Sequence, residues 1–277
     1  MKNIKTTKAY SYQRDFPEEK YLSAYHEFDE LGNETFYTTY TPEGLETKVR
    51  TIFNDKGQKL EEIIYLDEEN IAEQSHFTYN EAGQISGIKI AYADGSETTK
   101  SYQRNTDEII ITSIDDEDSI ENIETLKLRN EQLILEKLIV DGDGAFVEKF
   151  VNIFDENDRM IQHTEYSDFE HVSIVRKMEF DAAGNVLKQV SRNADGKLHD
   201  IIKYKYNENN KIIEQNIRDV YIIKYTYNIE EKTILEENFS GNGMLESYRI
   251  TRFDAENRLK QEEKPYSFTD YEYTFFD

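Results

Sequence analysis

Cysteine and tryptophan are absent from this chain of 277 residues, and proline and glycine number only 3 and 12. Without cysteine there is neither a disulfide nor thiolate chemistry, and a zinc site would have to use histidine and carboxylate. So little proline and glycine argues against a low-complexity disordered chain and against a collagen-like one. Long apolar runs are missing as well. No stretch approaches the roughly 18 consecutive apolar residues that a membrane-spanning helix needs. The first fifteen residues, MKNIKTTKAYSYQRD, have no apolar run behind their lysines, so the expectation is a leaderless, cytoplasmic protein. Catalytic signatures are also lacking: there is no G-x-S-x-G elbow, no P-loop, no G-x-G-x-x-G and no H-E-x-x-H. The reading is therefore non-enzymatic, with no cofactor and no metal.

Acid and aromatic rings are what the chain has in plenty. Asp and Glu number 57 against 33 Lys and Arg, a net charge of -24. That charge repels phosphate and anionic lipid, so nucleic acid and membrane are excluded as direct partners, whereas a basic protein is favoured. Tyr and Phe total 20 and 15, and such rings pack well on a pleated surface. Hydrophobic residues make up 37% of the chain, charged residues 32%, and mean hydropathy is -0.80, which together imply a high ratio of surface to core.

One motif returns along the chain: an aromatic, then Asp or Asn, then polar residues often including Gly, then an aliphatic. It begins at Phe28-Asp29, Phe53-Asn54, Tyr79-Asn80, Phe154-Asp155, Phe180-Asp181, Tyr206-Asn207, Tyr227-Asn228 and Phe253-Asp254. Most steps are 25 or 26 residues, degenerate copies at Tyr102 and Leu128 fill the long gap, and the step from Tyr206 to Tyr227 is 21. A second turn signal falls midway, at Thr41, Ala93, Asp141, Asn193 and Ser240, where Gly and Asn suit the positive φ of primed hairpin turns. Between turns the residues alternate, as in Tyr221, Ile223, Tyr225 and Tyr227 with Lys224 and Thr226 opposite. Residues 115–140 are rich enough in Glu, Leu and Lys to suit a helix, but turn signals at Asp115, Arg129 and Asp141 keep the repeat phase and favour strands. The expectation is all-β: an elongated antiparallel meander or solenoid of about ten two-stranded repeats forming a single domain over 1–277. The turn aromatics are expected to stack as a ladder, and the turn Asp or Asn to accept backbone N–H groups as an Asx turn.

This turn resembles the YD repeat of the Rhs family, whose usual form is Tyr-Asp-x-x-Gly-Arg-Leu. The nearest copies are Phe180-DAAGNV, Tyr79-NEAGQI, Phe53-NDKGQKL and Phe253-DAENRL, with Phe often in place of Tyr and Asn in place of Asp or Gly. Large Rhs proteins wind such repeats into a hollow shell around a toxin. About twenty strands are expected to be too few to close one, so the resemblance implies fold and interaction style rather than encapsulation. Short YD-like chains of this kind are similar to immunity proteins of bacterial polymorphic-toxin systems.

The remaining candidate chemistry is sparse. His163 and His171 flank a turn with Glu165 and Glu170, a set that could bind a divalent metal, but ordinary solvent-facing strand histidines fit better, since Glu165 shares a face only with His163. Asp141-GDG opens like a calcium loop but lacks its later ligands, with Asn152 at the twelfth position, and a hairpin fits better. The Tyr and Phe rows would serve as packing or as a sugar platform. The leading expectation is an immunity or antitoxin protein that binds a cognate basic toxin. The alternative is a carbohydrate-binding or surface-scaffold protein related to YD-repeat shells. Exposed terminal strands would invite a partner to pair with the last one, Tyr271 to Phe275.

Overall fold

The computed structural model describes residues 3–277; the leaderless reading begins on Met1 and Lys2, which lie outside the described residues. The first strands are β1 (Ile4–Gln13), β2 (Phe16–Phe28), β3 (Glu34–Thr41), β4 (Gly44–Phe53), β5 (Lys59–Tyr65), β6 (Ile71–Tyr79) and β7 (Ile85–Tyr92). They continue as β8 (Glu97–Arg104), β9 (Glu108–Asp115), β10 (Ile120–Arg129), β11 (Leu133–Asp141), β12 (Phe146–Phe154), β13 (Met160–Tyr166) and β14 (Val172–Phe180). The last eight are β15 (Val186–Asn193), β16 (Leu198–Tyr206), β17 (Ile212–Ile217), β18 (Tyr221–Asn228), β19 (Thr233–Ser240), β20 (Leu245–Phe253), β21 (Leu259–Glu263) and β22 (Ser267–Phe275). The stretch 115–140 is strand, with β10 and β11 separated by a tight turn.

These strands form one 22-stranded sheet. Within β1 to β7, β8 to β18 and β20 to β22 each strand pairs antiparallel with its sequence neighbour, as in β1 with β2 and β2 with β3. The first strand also pairs with the last, from Ile4 opposite Phe275 to Gln13 opposite Ser267. The expected open solenoid is therefore corrected. Pairing of the two ends makes the sheet a closed antiparallel barrel, and 22 strands suffice to close it. The last strand is likewise not a free edge, because Tyr271, Thr274 and Phe275 are taken up by β1. The sequence conceals this because the closing strands lie at opposite ends of the chain, and no local pattern encodes their register.

By proximity the chain divides into two compact units: Met1–Glu97 with Thr226–Glu237 and Ser247–Asp277, and Thr98–Tyr225 with Asn238–Glu246. In the first unit, Thr51, Glu62, Ser75 and Ile90 stand opposite one another across β4 to β7, and Thr51, Ser75 and Ile90 are buried. In the second unit, a row across β9 to β14 runs Ile109, Leu126, Lys137, Phe150, Glu165, Ile174. The adjacent row on the other face runs Ile110, Thr125, Leu138, Lys149. Each face thus mixes apolar and charged side chains. Among the described residues the buried apolar core is only Ala9, Val49, Ile90 and Leu128. Stability rests on the hydrogen-bond ladder and on half-buried cross-strand pairs rather than on a packed interior.

Candidate binding surface

The motif builds a five-residue loop. Each aromatic sits at a β-bulge and pairs with the residue six positions on: Phe28 with Glu34, Phe53 with Lys59, Tyr79 with Ile85, Phe154 with Met160. Phe180 with Val186, Tyr206 with Ile212 and Phe253 with Leu259 follow the same rule. Inside the loop the Asx residue does three jobs, as Asp29 shows. Its N–H donates to Asn33 O at 2.9 Å, its carbonyl accepts Gly32 N–H at 3.0 Å, and its Oδ1 accepts the N–H of Leu31 and of Asn33 at 2.9 Å. Asn54, Asp155, Asp181, Asn207 and Asp254 repeat the side-chain pattern, and Asn80 keeps the bond to Gln84 N–H. The fourth loop position after the aromatic has positive φ, whether it is Gly184 (90°), Asp158 (58°), Asn210 (56°) or Asn257 (64°). Asn and Asp are the residues that tolerate this region best after glycine, which is why they replace the motif's Gly. Tyr227 belongs to the shortened unit, where Asn228 Oδ1 instead accepts Glu231 N–H at 3.0 Å.

The midway turns use the same loop more often than a primed turn. Asp141 Oδ1 accepts Asp143 and Ala145 N–H at 3.0 and 2.8 Å, so its GDG is a hairpin loop of the common kind. Among the described residues, consecutive positive φ values occur only at Asn130–Glu131 and Arg218–Asp219.

Contact from one loop to the next is polar, which corrects the expected aromatic ladder. Among the described residues no ring-to-ring contact joins the consecutive motif aromatics Phe28, Phe53 and Tyr79, or Phe154, Phe180 and Tyr206. The residue after the positive-φ position reaches across instead: Gln58 donates to Gly83 O at 2.9 Å and Asn185 to Asn210 Oδ1 at 3.0 Å. Arg159 lies 4.8 Å from the Phe180 ring centre, and Arg129 pairs with Asp158 at 3.0 Å. Two motif tyrosines reach backward, Tyr79 to Lys59 O at 2.6 Å and Tyr206 to Val186 O at 2.9 Å.

These contacts keep the loop carboxylates ionised. The Asn185 amide and loop N–H groups hold Asp181 below its usual range, and the Arg159 guanidinium does the same for Asp155. At Asp29 and Asp254 partial burial pushes upward but is outweighed by the donors of Asn33 and Arg258. Asp67 is brought to about 2 by the Asn70 side chain and by N–H donors, and Asp168 to about 2 by the N–H groups of His171 and Glu170.

The histidine set does not converge. His163 Nδ1 bonds Asn152 Oδ1 at 2.7 Å and its Nε2 lies 3.3 Å from Glu165, whereas His171 turns to Asp168 at 2.9 Å. Among the described residues no three His, Cys, Asp or Glu side chains gather as a metal site.

Sequence reasoning missed the seam between β1 and β22. Ser11 Oγ joins Ser23 at 2.8 Å and Thr269 at 3.0 Å, while Tyr12 stacks on Phe268 at 5.4 Å. Lys20 bonds Asp270 at 3.0 Å and sits 5.0 Å from the Tyr10 ring centre, and Arg14 bonds Glu263 at 2.7 Å. The partners of Lys20–Asp270 and Arg14–Glu263 are about 250 residues apart, so no spacing signal reveals them. Beside the seam a cleft of about 440 Å³ is lined by Ser11, Gln13, Glu19, Tyr21, Ser267 and Thr269.

No family model matches the sequence, and no curated protein sequence matches it. Solved structures are similar at low identity. A chain in the crystal structure of TcdB2-TccC3-TEV is 9% identical over 87% of this chain and 15% of its own length, with a TM-score of 0.45. The Photorhabdus luminescens Tc holotoxin pore gives 11% over 91% of this chain and 16% of that one, with a TM-score of 0.40. A porin-like protein from Bacteroides uniformis gives 9% over 98% and 96%, with a TM-score of 0.36. All three scores lie under 0.5.

Proposed function

We propose that the chain is a non-enzymatic binding module that captures a basic protein partner, with neutralisation of a bacterial toxin as its role. The observation that carries this reading is a net charge of -24 on a sheet whose turns present carboxylates, two of them, Asp181 and Asp155, held ionised chiefly by the Asn185 amide and the Arg159 guanidinium. Such a surface steers a cationic partner and raises its association rate more than its affinity. The likeness of the turns to YD repeats supports the same role. Mixed charge on both faces of the second unit suits an aqueous setting, since a lipid-facing barrel needs a continuous apolar band. The test is titration of the purified chain with basic proteins encoded beside its gene, at low and at physiological salt. Binding whose association slows as salt rises is expected; absence of binding to all of them removes the reading.

A second reading, carbohydrate binding, is favoured by one feature. The seam cleft gathers the hydroxyls of Ser11, Ser267 and Thr269 beside Tyr21 and Glu19. A glycan array should then give hits that Tyr21→Ala removes, and an empty array would end it.

A further inference from the structure

Of the four histidines within 4 Å of a carboxylate, His163 is the least exposed, at 17% of its side chain. It lies in the second unit on β13, which among the described residues packs against β12 and β14 alone. One cross-strand row reads Asn152, His163, Arg176, and a second row on the same face reads Phe150, Glu165, Ile174. Glu165 and Arg176 are thus the charged groups that face the ring, and the Phe150 ring lies 5.1 Å from its centre. Glu148, the next acid on this face of β12, is taken by Lys137 at 3.1 Å.

Hydrogen bonds fix where the protons of this ring sit. Asn152 Nδ2 donates to Ile134 O at 2.9 Å, and a backbone carbonyl can only accept, which sets the orientation of the amide. Its Oδ1 therefore faces His163 Nδ1, at 2.7 Å, and takes the proton from that side. A neutral imidazole has a single N–H, and Asn152 holds it. Nε2 is then a lone pair 3.3 Å from Glu165 Oε1, an acceptor against an acceptor. A second proton, on Nε2, turns that repulsion into an ion pair. The same Oε1 lies 3.7 Å from Arg176 Nη2. A committed charge-assisted bond closes to about 2.7–2.9 Å, so this oxygen stands between two donors and is gripped by neither. Histidine is the side chain whose charge ordinarily changes between about pH 8 and 5.

We propose that Glu165 is the arm of a proton-operated toggle, bound to Arg176 while His163 is neutral and to His163 once that ring is charged. The Nδ1 proton stays on Asn152 in both states, so the ring keeps its place and the carboxylate moves. One ion pair replaces another, and the outcome is local: acid releases the Arg176 guanidinium from its partner. The toggle stands apart from the binding-module reading, and neither needs the other. The test is NMR of the full chain with 15N-labelled histidine and arginine at about pH 8 and pH 5. His163 signals are assigned by their loss in His163→Gln or, should that variant not fold, by their contact with the Phe150 ring. At the higher pH the His163 proton should sit on Nδ1, and at the lower pH both nitrogens should carry one. The Arg176 guanidinium, measured against free arginine at each pH, should exchange its protons about three-fold faster once acid has released it. Glu165→Gln, which leaves no carboxylate to share, should remove that change and keep the Nδ1 tautomer. A neutral ring protonated on Nε2 overturns the proposal, as does a ring whose charge is the same at both pH values. So does Arg176 exchange that is indifferent to pH, or a pH response that survives Glu165→Gln.

Discussion

At the scale of the residue, the motif is a device for placing one backbone in a left-handed conformation and saturating its neighbours. Asn210 at φ 56° and Gly184 at φ 90° occupy equivalent places in successive loops. A side chain in this region costs about 1–2 kcal/mol, which Asn reduces by local hydrogen bonding. Asn210→Gly should therefore hold or raise the urea midpoint, and Asn210→Val should lower stability by about 1–2 kcal/mol. The loop acids have a second consequence. Asp67 and Asp168 titrate at about 2 in the folded chain against 3.8 ordinarily, so their stabilisation is complete above that ordinary value. It is lost as pH falls from about 4 to 2, because protonation is then easier in the unfolded chain. Thermal melts across that range should show a fall in Tm. Asp168→Asn, which keeps the acceptor and removes the charge, should make the fall smaller. The acceptor at the second motif position was legible in the sequence from its Asx chemistry. The tether made by Gln58 or Asn185 was not, since its partner lies 25 residues away in the next loop.

At the scale of the element, strands and turns were legible throughout, because period-2 alternation and loop residues are local signals. The stretch 115–140 shows the limit of composition: Ile120–Arg129 is a strand despite its helix-forming residues, held between β9 and β11. Tertiary pairing decides where propensity is weak. Not legible was the way hairpins nest. Gly142 has no positive φ requiring glycine, yet a Cβ there would lie 1.9 Å from Ile120 O of the preceding turn. Gly142→Ala should lower stability by about 1–3 kcal/mol through backbone displacement, read from the denaturant midpoint. Gly144→Ala, with open space around it but φ of 82°, should cost only the conformational strain.

At the scale of the molecule, the sequence put the strands at about twenty, where there are 22, and hid that their ends meet. Closure depends on a register set by Thr6 with Thr274, Tyr12 on Phe268 and Lys20 with Asp270, none of it periodic. Removing the charged clasp with Arg14→Ala and Lys20→Ala should speed amide exchange in β1 and β22. Exchange in β5 and β6, whose partners are sequence neighbours, should stay unchanged. If all strands exchange faster together, the sheet opens as one unit and the seam is no weaker than any hairpin.

The pairing of Ile4 with Phe275 also bears on the order of assembly. In an unfolded chain, joining ends this far apart costs about 4 kcal/mol more entropy than closing a tight hairpin. Hairpins therefore zip first, and the seam forms on a sheet already made. Chain connectivity is then nearly arbitrary around the ring. A circular permutant, with a short linker joining the residues beyond β22 to those before β1 and new ends cut at the exposed turn holding Gly95, should keep every strand pair but one hairpin's covalent link. Far-UV circular dichroism should match the parent, and refolding should keep about the same rate, because the end-to-end pairing has only moved from β1 and β22 to the strands flanking the cut.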